Sequence, residues 1–138
     1  MRCSAMIRAL CLATLVPLAM AGCTGSPATP QMTAAAAAGL DKELAGLTPH
    51  GTTSCINLYG MQQTHGYGPT IVYVASQRLK YRSDTTGGCE GIGRGDVLVT
   101  RTPSTQLCQG DIATTVDAAS RSFTGSCAFG PFTKYSDR

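Results

Sequence analysis

Tryptophan is missing from this chain, and aromatic residues make up only 6% of its 138 positions. A domain with so few large side chains buries little surface and needs some other source of stability. Histidine is nearly missing too: His50 and His65 are the only two. With no Gly-x-Ser-x-Gly string, the usual serine hydrolase arrangement has neither its elbow nor a choice of bases. Glycine-rich phosphate loops are excluded on different grounds. Gly91-Ile92-Gly93-Arg94-Gly95 leads into an alternating apolar segment and not into a helix N-terminus, so it reads as a turn. Its Arg94-Gly95-Asp96 tripeptide is ordinary turn chemistry before a strand. Charged residues amount to 14% and neither sign forms a block, which leaves no nucleic-acid footprint. No apolar run reaches the roughly 20 residues of a spanning helix.

What the chain does have begins at its N-terminus. Arg2 and Arg8 precede a short apolar core over residues 9–19, followed by small residues, the layout of an export signal. Leu18-Ala19-Met20-Ala21-Gly22-Cys23 reads as a bacterial lipobox, with slim side chains before a cysteine that would receive acyl chains. Ordinary cleavage after Ala21 is the competing reading, but it would leave a free thiol beside a new N-terminus in an oxidising compartment. Each buried methylene contributes about 0.8 kcal/mol, so several acyl chains would hold the protein to a membrane. Thr24, where an inner-membrane retention signal has Asp, points to the outer membrane, with the domain facing the periplasm. Without Arg2 and Arg8 the formal net charge of +3 falls to +1.

Cys3 and Cys11 leave with the signal and Cys23 is the lipidation site, so Cys55, Cys89, Cys108 and Cys127 remain. An even number in an exported domain implies two disulfides, with three connectivities open. Locality favours Cys55 with Cys89 and Cys108 with Cys127. Structural zinc sites usually pair ligands about two to four residues apart, and redox pairs are Cys-x-x-Cys. Neither spacing occurs among these four, so no metal and no cofactor are expected.

Residues 1–22 are thus assigned to the signal peptide and 23–48 to a tether. Its Pro27 and Pro30 and its small polar residues suit a flexible spacer. An alanine run continued by Leu40, Leu44 and Leu47 has helical spacing, so a short helix competes there with a disordered linker. Residues 49–138 form the domain. Apolar runs over 71–75 and 97–99 and alternation of apolar and cationic residues over 78–82 indicate strands, with further candidates over 55–59, 111–117 and 123–129. Turn chemistry at 66–69, 87–88 and 93–96 separates them. About six short strands without long helical segments predict an all-β fold, an antiparallel small barrel or a sandwich.

Several segments carry a resemblance. They are Ala45-Gly46-Leu47-Thr48, Ser54-Cys55-Ile56-Asn57-Leu58, Tyr81-Arg82-Ser83-Asp84 with Gly88-Cys89, and Thr100-Arg101-Thr102-Pro103-Ser104. Gln106-Leu107-Cys108-Gln109-Gly110-Asp111-Ile112 and Gly125-Ser126-Cys127-Ala128-Phe129-Gly130-Pro131-Phe132 complete the set. In order and spacing the chain resembles a family of small cysteine-containing envelope lipoproteins of Gram-negative bacteria, a domain of unknown function. The resemblance implies export and a shared cysteine framework, and it implies no activity, substrate or catalytic residue.

Among candidate functional residues, Arg78, Lys80 and Arg82 fall on one face of a strand, extended by Arg101 on a neighbouring one. Such a face suits an anionic envelope component, lipid phosphates or cell-wall carboxylates. A solvated face that discourages edge pairing explains the same residues. His65 reads as a solvated loop histidine, and Asp84, Glu90, Asp96, Asp111 and Asp117 as turn carboxylates. An enzyme would need a pocket joining His65 to a carboxylate. The expectation is a lipid-anchored, non-catalytic protein with a binding or structural role. An inhibitor that presents residues 87–95 to a hydrolase is the alternative.

Overall fold

The computed structural model describes residues 32–138. The signal peptide, Cys23 and the start of the tether lie outside the described residues. A helix, α1 (Ala34–Leu44), comes first. Thr33 caps it, its hydroxyl accepting from the Ala36 N–H at 3.2 Å, and the alanine run suits a helix. Nine strands and one 3-10 turn follow: β1 (Thr48–Thr53), β2 (Cys55–Asn57), β3 (Gln63–Tyr67), β4 (Thr70–Ser76), β5 (Leu79–Thr85), the 3-10 turn Glu90–Arg94, β6 (Val97–Thr100), β7 (Gln106–Cys108), β8 (Ile112–Val116) and β9 (Phe123–Ser136).

The fold is the expected antiparallel β class, in the form of a half-barrel. Its main sheet runs β3-β4-β5-β9-β8-β6. β9 is the spine: its C-terminal half pairs β5 on one side and β1 on the other, while its N-terminal half pairs β8. β2 and β7 form a separate short ribbon, Cys55 opposite Cys108 and Ile56 opposite Leu107.

Side chains at even and odd positions of β4 go to different cores, because successive residues of a strand face opposite ways. Ile71 and Tyr73 point into the concave side and join Ile56, Leu107, Ala113, Phe129 and Phe132. Tyr73, Phe129 and Phe132 form an aromatic trio with centroids 5.7 to 6.3 Å apart. Val72 and Val74 point outward and pack under Leu40 of α1. β4 is therefore buried on both faces, which is why it reads as an unbroken apolar run, Thr70 through Val74 being buried.

The open side of the half-barrel is narrowed by the 3-10 turn. Gly66 on β3 lies so close to Ile92 that a Cβ there would stand 2.7 Å from the Ile92 Cβ. Only glycine permits that approach.

Two sequence expectations are corrected here. The disulfides are Cys55–Cys108 and Cys89–Cys127, not the local pairs. The sheet order brings together segments distant in the chain, so proximity in sequence was the wrong guide. Cys55–Cys108 staples the β2–β7 ribbon, and Cys89–Cys127 fastens the start of the 3-10 turn to β9. The second correction concerns β5, which starts at Leu79 and leaves Arg78 in the preceding turn.

Candidate functional sites

His65 is not in a loop. It sits on β3, opposite Val72 and hence on the outer face beneath α1. Its Nδ1 lies 3.2 Å from Glu43 Oε2. Tyr67, two residues along the same face, donates its hydroxyl to that oxygen at 2.9 Å, and Lys80 Nζ donates to Oε1 at 2.6 Å. Lys80 also donates to the Glu43 carbonyl, in the last turn of the helix. A single carboxylate on α1 thus gathers three side chains from two strands, β3 and β5. Glu43 lies three residues after the buried Leu40, on the same helix face, which is the sequence signal by which it was discoverable.

Burial of Glu43 opposes its ionisation. The hydrogen bonds from Lys80 and Tyr67, with the charges of Lys80 and His65, outweigh that and hold its carboxyl below the ordinary value. Burial, together with the bond to Glu43 and its negative charge, pushes the Tyr67 hydroxyl up to about 12. The arrangement joins a histidine to a carboxylate, as an acid–base site would. Its carboxylate is nevertheless fully engaged by cross-links between helix and sheet, and no serine or cysteine is among its hydrogen-bond partners.

The four expected cations do not share one free face. Lys80 is buried against Glu43. Arg82 donates Nε and Nη2 to Asp84, each at 3.1 Å. Exposed Arg78 lies 3.4 Å from Asp137. Arg101 follows β6, which β9 and β8 separate from β5. The charge on the outer face of β5 is thereby matched by carboxylates, and Arg101 belongs elsewhere.

Two hollows remain. The larger, about 570 Å³, lies beside β6 and β8 and is lined by Val99, Arg101, Gly110, Asp111, Ile112 and Thr114. Arg101 shares it with a carboxylate, and Asp111 Oδ2 already accepts from the Cys108 N–H at 2.8 Å. The smaller, about 310 Å³, opens at the concave side and is walled by β1, β2 and the β5–β9 pair. Sequence reading missed it, because β1, Thr-Pro-His-Gly-Thr-Thr, has no apolar alternation and is exposed along its whole length.

Among the described residues no group of three His, Cys, Asp or Glu side chains could hold a metal, and no helix is long and apolar enough to cross a membrane. No protein family, curated protein or solved structure matches the chain.

Proposed function

We propose that this chain is an outer-membrane lipoprotein, tethered through Cys23, whose periplasmic domain acts by binding and not by catalysis. The observation that carries the reading is the pairing of all four domain cysteines into two disulfides. Such bridges persist in oxidising compartments, and Cys23 is the one cysteine after the signal segment that they leave over. The acyl chains supply the anchor and the bridges supply rigidity. A stapled half-barrel of this kind presents a preformed surface at low ordering cost. The inhibitor alternative draws less support, since the middle of the segment 87–95 is held against the domain. Cys89 and Gly91 are buried, and Ile92 packs against Gly66 at the seam.

Intact and peptide-level mass of the membrane-extracted protein, alkylated without reduction, tests the proposal. Acyl chains on Cys23 and four protected cysteines are the expected result. An unmodified Cys23 with freely alkylated domain cysteines would remove the anchor and the compartment together.

A further inference from the structure

The hollow on the concave side is built around Lys134. In β9 this residue stands opposite Tyr81 of β5, on the same face as Tyr73. On its other flank β1 bulges: Pro49 pairs Tyr135 and Thr52 pairs Thr133, so His50 and Gly51 together oppose Lys134 alone. Gly51 has a φ of +87°, a left-handed conformation that side chains other than glycine rarely adopt. Bulges of this kind re-aim side chains and recur beside binding sites. This one brings His50 to the same hollow as Lys134 and Tyr81.

The rest of the lining is Gly51, Thr52, Thr53, Cys55, Ile56 and Asn57. Ile56 and the Cys55–Cys108 bridge give it an apolar, rigid floor. Asn57 Oδ1 already accepts from the Tyr59 N–H at 2.8 Å, which leaves its NH2 free to donate. Lys134 forms no ion pair among the described residues, in contrast to Arg78, Lys80 and Arg82. No carboxylate lines the hollow. Donors therefore predominate at its polar rim, with one lysine charge unmatched. Its volume falls at the small end of ligand sites, roughly 300 to 1,000 Å³.

We propose that this hollow binds a small hydroxyl-bearing anion, of the size of an acidic monosaccharide. The anionic group meets Lys134 and the Asn57 amide, and its hydroxyls meet His50 and Tyr81. The inference rests on the binding reading above and is independent of the lipid on Cys23. Carboxylate and phosphate share this chemistry, since a lysine recognises either as a point charge.

The test is a titration of isotope-labelled, detergent-extracted full-length protein with glucuronate, glucose 6-phosphate and glucose, followed by amide chemical shifts and calorimetry. At least one of the two acids is expected to bind, moving the amides of residues 50–57, 81 and 134, with glucose at least tenfold weaker. Whichever acid binds more tightly identifies the anionic group. Lys134→Met should weaken the bound acid at least tenfold, while Arg101→Gln, in the other hollow, should leave it unchanged. Equal binding of glucose, shifts confined to other residues, or full affinity in Lys134→Met would overturn the proposal, as would no binding by any probe. If the probes fail while Cys23 is acylated and the disulfides are intact, this inference falls alone. If Cys23 proves unmodified, the anchor falls and the titration result stands.

Discussion

The Glu43 carboxylate ties helix to sheet through His65, Tyr67 and Lys80, and its substitution separates a helix clamp from a reactive site. Lys80 and Glu43 are each largely buried, at 13% and 16% side-chain exposure, so their pairing escapes much of the solvent screening that weakens surface ion pairs. Glu43→Gln keeps the shape and removes the charge. Hydrogen bonds to charged groups contribute about 1.5 to 3 kcal/mol, and glutamine retains part of that, so a loss of about 1 to 2 kcal/mol is expected at neutral pH. The folded-state carboxyl lies below its ordinary value of 4.5. Its contribution is therefore complete above that value and is lost as pH falls through the folded one. Urea unfolding of parent and variant should show a gap at neutral pH that narrows under acid conditions well below 4.5. A gap that stays constant with pH would mean that the charge of Glu43 does not stabilise the fold.

At the scale of elements, the contact between β3 and the 3-10 turn decides how far the half-barrel stays open. Gly66→Ala forces its new methyl against Ile92, whose Cβ belongs to a turn already fastened by Cys89. Overpacking of this kind typically costs about 1 to 3 kcal/mol. The expected outcome is a lower denaturant midpoint, with faster amide exchange over residues 90–94 than elsewhere. An unchanged exchange pattern would show that the turn is not held by this contact. Turns like this one were legible in the sequence as punctuation, because glycine clusters announce them. The strands over 71–75 and 97–99 were legible as short apolar, β-branched runs, and the leucine spacing of α1 left a helix open beside a linker. β1 and β9 were not. β1 is exposed throughout and so carries no apolar period. β9 runs past Gly125, Gly130 and Pro131, residues that normally end strands; Pro131 is exposed and falls in the stretch where the register of β5 against β9 shifts. The cationic stripe was legible, but its partners were not. Glu43 and Asp137 lie far from Lys80 and Arg78 in sequence, and only the folded sheet brings them together.

For the whole molecule, the two disulfides matter more than any single core contact. Their sequence spans interleave: Cys55–Cys108 closes 53 residues and Cys89–Cys127 closes 38, each loop holding one end of the other. Restriction of the unfolded chain by loops of this length is worth about 2 to 4 kcal/mol per bridge, against a typical domain stability of about 5 to 15 kcal/mol. Loss of both would consume much or all of the total, and the few aromatics leave little reserve. The two are not equivalent. Cys89 and Cys127 are 2% and 3% exposed and belong to the main core, so replacing that pair by serine also buries two polar hydroxyls in that core. Cys55 and Cys108 are half-buried and lock a ribbon of three residue pairs. The Cys89→Ser/Cys127→Ser variant should therefore have the lower denaturant midpoint, and complete reduction should unfold the chain or bring it close to unfolding. Peptide mapping without reduction decides the connectivity on which this ordering depends. Linked peptides containing Cys55 with Cys89 would contradict it, because β2 could then not pair with β7 through a bridged Cys55 and Cys108, and the floor beneath Lys134 would lose its staple.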